Sequence, residues 1–345
     1  MRALVVGPGA EGRFADVPEP APGPGQALVE VHRTSINFSE LRHMGRLPEG
    51  TVLGYDAAGV VLRAAADGTG PAEGTRVAAF GAGAWAERAA FDTGSIAAVP
   101  DGVDLAVAAA LPMSGLTALR SLRAAGASPG SRVLVTGASG SVGRLAVQLA
   151  RLAGAHVIAS VNTPERARTL PPSVTAPPAE IAVGLDGVAP VEVVVGLDGV
   201  APVEVVVGLD GVAPVEVVVG LDGVAPVDVV IEVVGGETLV AAWGLLKPGG
   251  NLQSVGWASG RPAVFPPGST FSLGPARSLN SFGDVTSPGP DLTFLFDLVA
   301  AGRLSVEIGR RESWERLKQA AAAQLDRTIT GKIVLDIAPA DHVPS

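Results

Sequence analysis

An apolar strand pattern, Arg132-Val133-Leu134-Val135-Thr136, runs straight into Gly137-Ala138-Ser139-Gly140-Ser141-Val142-Gly143. A helical pattern follows from Arg144 to Leu152, with Leu145, Val147, Leu149 and Leu152 apolar among small or polar residues. Strand, glycine-rich turn and helix in immediate succession is the context a phosphate-binding turn needs. Glycines allow the tight turn and let backbone N–H groups come close to a pyrophosphate, and the helix N-terminus adds oriented donors and partial positive charge. A second strand, His156-Val157-Ile158-Ala159-Ser160-Val161, completes a β-α-β unit. Dinucleotide binding by Gly137, Ser139, Gly140, Ser141, Val142 and Gly143 is the reading this context favours over an ordinary turn.

The tip of that second strand bears on which dinucleotide. An NAD site places a carboxylate there to hold the ribose 2′-hydroxyl. Here the strand ends in Val161-Asn162-Thr163-Pro164-Glu165-Arg166, with no carboxylate at the tip. Asn162 and Thr163 can donate hydrogen bonds, and Arg166 and Arg168 follow on the next helix. A 2′-phosphate suits that set, so the predicted cofactor is NADPH.

Strand and helix patterns alternate from residue 131 onward, as in a doubly wound parallel sheet. Asp228–Val234 is an almost wholly apolar run, fitting a strand buried on both faces, and Gly250–Gly256 and Ser278–Phe282 read as later strands. Before residue 118 the chain is rich in short strands bounded by Gly or Pro: Ala3–Val6, Ala27–Val31, Gly59–Leu62 and Thr75–Phe80. Helical patterns begin at Leu105–Leu111 and Leu116–Ala124.

Within the α/β region, Gly184 to Val195 reads GLDGVAPVEVVV, and the same twelve residues recur from Gly196 and from Gly208. A fourth copy from Gly220 ends Val-Asp-Val-Val-Ile. Near-identity implies recent tandem duplication. Each unit joins a Leu-Asp-Gly turn signal to a β-rich run. The expectation is an inserted β-meander that extends one sheet edge, and that could lose Gly184–Val219 without harm to fold or cofactor affinity. A partner-binding arm is the alternative.

The chain has no cysteine, which removes disulfides, a thiol nucleophile and thiolate metal sites. Four histidines, His32, His43, His156 and His342, are too few and too poorly accompanied to argue for a zinc centre. Basic residues are dispersed in a chain of net charge −9, which excludes a nucleic-acid footprint. No apolar run is long enough for a membrane span, and the N-terminus lacks a signal-peptide pattern, so the cytoplasm is the expected compartment.

Several motifs together resemble the zinc-independent branch of the medium-chain dehydrogenase/reductases, the quinone oxidoreductases and related enoyl reductases. They are Thr34–Glu40 (TSINFSE), Leu53–Val61 (LGYDAAGVV), Gly74–Val77 (GTRV), Leu111–Ala118 (LPMSGLTA), the glycine turn, and Gly331–Leu335 (GKIVL). The resemblance implies a GroES-like, β-rich catalytic domain at 1–118 and 281–345. It implies a Rossmann NADPH-binding domain at 119–280, which contains the repeats at 184–231, and a nicotinamide held in the cleft between the two. Zinc-dependent relatives carry a cysteine near position 37 and Gly-His-Glu where this chain has Gly54-Tyr55-Asp56. The implied chemistry is metal-free hydride transfer to a conjugated C=C of an enone or to a quinone.

The resemblance places Asn37 beside nicotinamide and substrate, and turns Tyr55, the only tyrosine, toward the cleft; a turn-capping Asn37 and a Tyr55 packed under the cleft with its hydroxyl on the backbone are the alternatives. Arg42 stands where relatives carry an aromatic residue; it reaches a substrate oxygen or pairs with Glu40 or Asp56. Leu47 replaces a usual tyrosine, which weakens transfer of the acyl-thioester reductase mechanism. Thr117, Gly256 and Lys332 are carried over as cofactor contacts. A homodimer acting on a small molecule is implied. A cyclase or lyase that uses the cofactor pocket passively, and a non-catalytic NADPH-binding protein, remain alternatives.

Overall fold

A computed structural model describes residues 1–170, 215–271 and 273–337. The chain forms two compact units: Met1–Leu116 with Val285–Ser345, and Thr117–Asp284.

Unit one is β-rich. Strands β1 (Arg2–Val6) and β2 (Gly12–Asp16) form an antiparallel pair. Next come β3 (Gln26–Ile36), α1 (Phe38–His43), β4 (Asp56–Arg63), β5 (Arg76–Phe80), β6 (Arg88–Asp92) and β7 (Ile96–Ala98). Among the described residues, the last two strands, β14 (Ile308–Ser313) and β15 (Lys332–Asp336), complete a seven-stranded sheet of order β14-β15-β3-β4-β5-β7, with β6 also on β3. β3 is the longest strand and alternates buried and half-buried residues until Val31, after which it is buried through to Ile36. Ser35 and Thr34 therefore lie at depth, opposite Val334 and Leu335 of β15. Trp85, Leu4, Ile36, Ile333 and Leu335 lie in the core around them.

Helices α2 (Leu105–Ala110) and α3 (Pro112–Ala125) match the two predicted helical patterns, α3 starting a turn earlier than the pattern indicates. Pro112 explains the early start, since proline suits the first helical position.

Among the described residues, unit two forms a six-stranded sheet with every neighbouring pair parallel. Its strands are β8 (Arg132–Val135), β9 (His156–Val161), β10 (Val215–Val219), β11 (Val227–Glu232), β12 (Leu246–Ser254) and β13 (Ser278–Ser281), in the order β10-β9-β8-β11-β12-β13. That is the doubly wound order with a switch point between β8 and β11. Helix α4 (Ser141–Leu152) crosses from β8 to β9, α5 (Pro164–Arg168) follows β9, and α6 (Gly236–Gly244) follows β11. Leu134, Ile158, Val230 and Leu252, one from each central strand, share one core.

The repeats correct one expectation. The third copy supplies β10 and the fourth supplies β11, and these two strands are parallel and not neighbours. They do not form a meander, and Val215–Val219 is sheet rather than surplus. The reason is the apolar Val-rich run: buried on both faces, it suits a parallel strand covered by helices better than a half-exposed hairpin. The first two copies lie outside the described residues.

Candidate functional site

The glycine turn of unit two is built as the sequence indicates. Gly137 takes φ +59, and the Ala138 N–H donates to the Ser160 carbonyl, which ties the turn to β9. Gly140 is the N-cap of α4 and carries no side-chain cap. The first N–H groups of the helix, from Ser141, Val142 and Gly143, have no intrahelical acceptor by geometry. A Cβ on Gly143 would come within 2.5 Å of the Gly137 oxygen and 2.7 Å of the Ala138 Cα, so only glycine lets the helix start this close under the turn. Donors, dipole and open backbone together make an anion cradle.

Glu232, at the end of β11, braces the strand tips around this turn and carries no sequence signal of its own. Its carboxylate accepts the Thr136 hydroxyl at 3.0 Å, the Val234 N–H at 2.9 Å and the Gly235 N–H through both oxygens at 3.0 and 2.9 Å. Its carbonyl accepts the Val255 N–H at 2.8 Å and the Gly256 N–H at 3.3 Å. Three strand ends, from β8, β11 and β12, thus converge on one buried residue. Burial pushes the Glu232 carboxyl above the usual range, against the pull of those hydrogen bonds. A Cβ on Gly256 would meet the Val233 oxygen at 2.9 Å, so Gly256 serves close strand packing.

Beyond β9, Asn162 is exposed, and Thr163 caps α5 by accepting the Arg166 N–H. Arg166 is half-buried, while Arg168 is exposed and pairs with Glu165 at 3.8 Å. Thr117 is half-buried on α3.

The polar centre of unit one is built from side chains. Gly54 at φ +90 packs its Cα against Trp85, where a Cβ would overlap the indole, and this delivers Tyr55 and Asp56 to the start of β4. Asp56 is fully buried. Its Oδ2 accepts the Ser35 hydroxyl at 2.7 Å, the Asn37 Nδ2 at 2.8 Å and the Lys332 Nζ at 3.2 Å, and its Oδ1 accepts the Met113 N–H at 2.9 Å. Lys332, 2% exposed, also donates to the Asn37 Oδ1 at 2.6 Å. The Asn37 amide is thereby fixed at both ends, with one Nδ2 hydrogen left over.

Glu40 accepts the Asn37 N–H at 2.6 Å and the Tyr55 N–H at 2.9 Å. Burial, reinforced by the Asp56 carboxylate, pushes the Glu40 carboxyl up to about 8 against two N–H bonds and Lys332. The Tyr55 ring stacks on Phe80 with centroids 5.9 Å apart.

Of the predicted residues in unit one, the structure brings Asn37 and Lys332 into direct contact and holds Tyr55 beside them through Glu40. Arg42 is exposed and lies over the Phe38 ring at 5.9 Å; Glu40 and Asp56 are satisfied by other groups. Lys332 is turned inward onto Asn37 and Asp56. Ser35, Asp56 and Glu40 are the members that sequence reasoning missed. The signal available for them was their place inside the quoted TSINFSE and LGYDAAGVV motifs. His32 pairs with Glu30 at 3.0 Å, and among the described residues no group of three His, Asp or Glu could hold a metal ion.

Residues 23–101 match the model of the alcohol dehydrogenase GroES-like domain, and residues 209–335 match that of zinc-binding dehydrogenases. The structure is similar to that of the quinone oxidoreductase from Thermus thermophilus, solved also in complex with NADPH, with TM-score 0.70 and 27% identity over 98% of this chain and 100% of that one. It is similar in fold to a cobalt- and zinc-bound alcohol dehydrogenase from Pyrobaculum aerophilum, with TM-score 0.75 and 22% identity over 98% and 99% of the two chains. A segment of 159 residues, 46% of the chain, is 38% identical to the pikromycin polyketide synthase component PikAII of Streptomyces venezuelae, of which it spans 4%. With an inward-facing polar centre on a GroES-like sheet and a glycine turn at the switch point of a doubly wound one, the chain belongs to the medium-chain dehydrogenase/reductase family, in its quinone oxidoreductase-like branch.

Proposed function

We propose that this protein is an NADPH-dependent reductase that delivers hydride to the conjugated C=C of an enone, or to a quinone, without a metal ion. The observation that carries the reading is the glycine turn under α4, where Gly143 approaches Gly137 too closely for any side chain. The turn, the bare helix start and the strand tips braced by Glu232 fit a dinucleotide. The NADPH complex of the Thermus relative supports the same cofactor, as does a β9 tip without a carboxylate and followed by Arg166. Bound NADPH would supply the hydride.

The chain's own residues meet the charge that then develops on the substrate's carbonyl oxygen. Asn37 is oriented by Lys332 and Asp56, so its remaining N–H is a preorganised donor and costs little to align. Tyr55 offers a second donor, with its ring held by Phe80 and its backbone by Glu40. Metal independence is supported by the side chains themselves. An amide at position 37 and a phenol at position 55 replace thiolate and imidazole, and no thiolate exists anywhere in the chain. The proposed assembly is a homodimer in the cytoplasm acting on a small molecule.

The test is consumption of NADPH, followed by its nicotinamide absorbance, with a panel of quinones and enones. Tight NADPH binding with no turnover on any of them would shift the reading to a cyclase, a lyase or a binding protein. Treatment with a chelator should leave the activity intact. One tightly bound zinc per purified chain would overturn the metal-free mechanism.

A further inference from the structure

Arg144 lies one turn inside α4, directly after the glycine turn, and is only 3% exposed. A buried guanidinium needs acceptors for a planar fork of N–H donors. Its Nε donates to the Ser139 carbonyl in the glycine turn at 2.9 Å. Its Nη2 donates to the Thr169 carbonyl at 2.7 Å and to the Thr169 Oγ1 at 3.3 Å. Thr169 is the C-cap of α5, and its hydroxyl donates onward to the Arg166 carbonyl at 2.8 Å. One side chain therefore links the phosphate turn to the backbone of Arg166.

We propose that Arg144 is a positioning residue for cofactor choice: it sets the spacing between the glycine turn, which takes the pyrophosphate, and α5, which takes the ribose 2′-phosphate of NADPH. The proposal rests on the reading of α5 as the side of the cofactor site that takes the 2′-phosphate, whichever of its residues makes the contact.

Three physical points carry it. The ligand fixes the distance between pyrophosphate and 2′-phosphate, so the protein gains affinity for the second group only if both receptors are held in register. A helix of five residues cannot hold its own direction, because helices this short are marginal without tertiary bonds. The fork also occupies the Ser139 carbonyl, which keeps a partial negative charge engaged away from an anion. Lysine at this position would keep the charge but could not span two carbonyls, because its donors sit on one compact ammonium.

The test measures equilibrium binding of NADPH, NADH, adenosine 2′,5′-bisphosphate and adenosine 5′-monophosphate to the full chain and to Arg144→Lys, Thr169→Val and Arg166→Ala. Losing a bond to a charged donor should weaken NADPH about ten-fold in Arg144→Lys, while NADH changes less than about three-fold. The bisphosphate should follow NADPH, and the monophosphate should follow NADH. Thr169→Val leaves Arg144 and its two carbonyls in place, so it should show a smaller drop in the same direction. It carries the test alone if Arg144→Lys fails to fold.

An unchanged preference in Arg144→Lys, or equal losses for both cofactors, overturns the proposal, because a residue that only fills the core would act on both alike. A wild-type protein with no preference overturns it too. Arg166→Ala separates the two claims. If it leaves the preference intact while Arg144→Lys reduces it, Arg166 is not the 2′-phosphate contact, yet the coupling stands. If it removes the preference while Arg144→Lys does not, Arg166 stands and the coupling falls.

Discussion

In unit one the groups at depth are side chains that satisfy each other, the Asp56 carboxylate and the Lys332 ammonium with Asn37 and Ser35 between them, and Glu40 is held beside them by the Asn37 and Tyr55 N–H groups. In unit two the corresponding work falls to the main chain. The glycine turn offers N–H groups, and the buried Glu232 carboxyl beside it is held by a hydroxyl and backbone donors. A charge network fails when a single partner is removed, because the other charge is left buried. A backbone cradle fails when space is filled, because its groups cannot be deleted. The two regions should therefore break under opposite kinds of substitution.

The largest expected effect is at Asp56. Asp56→Asn leaves the Lys332 ammonium buried without its counter-charge, and should cost about 3–5 kcal/mol in chemical denaturation. Adding Lys332→Met should recover most of that loss, since two neutral side chains no longer need each other. A single variant as stable as the wild type would mean that the cluster is not ionic. In unit two, Gly143→Ala removes nothing and adds one methyl group. It should lower stability and NADPH affinity by about 1–3 kcal/mol, the usual cost of overpacking. Equal cofactor affinity in titrations of the variant would show that the turn does not carry the dinucleotide.

The same contrast explains what could be read from the sequence. A backbone site is contiguous: Gly137 to Gly143 lies between a strand and a helix, and its chemistry follows from local order. The β8-α4-β9 unit around the turn is legible for that reason. The centre of unit one gathers residues 35, 37, 40, 56 and 332, whose meeting depends on how β3, β4 and β15 pair. Spacing along the chain carries no trace of that pairing. Asn37 and Lys332 are legible as separate residues, each carried over by resemblance, and their contact is not. Arg144 reads as the first residue of an amphipathic helix, because a buried arginine looks like a solvent-facing one until its acceptors are located. The repeats mislead for the opposite reason: identical words suggest identical roles, while the sheet uses the third copy as an edge strand and the fourth as a central one.

The two buried carboxyls that lie above their usual range give a smaller, pH-dependent effect. Glu40 titrates near 8 in the folded protein and near 4.5 when unfolded, so between those values the folded state holds a proton that the unfolded state has released. Stability contributed at low pH is thus lost as pH rises through about 8. Glu232, also raised by burial, acts in the same direction. Glu40→Gln should flatten part of this decline, and urea midpoints taken from acid to mildly alkaline pH would show it. Parallel pH profiles for variant and wild type would place the titration elsewhere, with Glu232 as the next carboxyl to test.

The smallest effect should come from the repeats. Excising Gly184–Val207 removes the first two copies and leaves the third to form β10; if β10 is all that the sheet needs of the repeats, unfolding midpoint and NADPH affinity stay within about 0.5 kcal/mol of the full chain. Excising Gly184–Val219 is the sharper test, because it also deletes β10. That strand holds its place by parallel pairing of Glu216 with Ile158 through Val219 with Val161, and by the Gly220 N–H donating to the Val161 carbonyl at 2.9 Å. The longer excision joins Glu180-Ile181-Ala182-Val183 to Gly220, the same acidic-then-apolar order that Glu216–Val219 presents before it. If this segment can replace β10, the shortened protein keeps its cofactor affinity and loses little stability. If the longer excision unfolds unit two while the shorter one is silent, the duplication has become necessary to the sheet, and its third copy is a structural strand of this chain with no substitute.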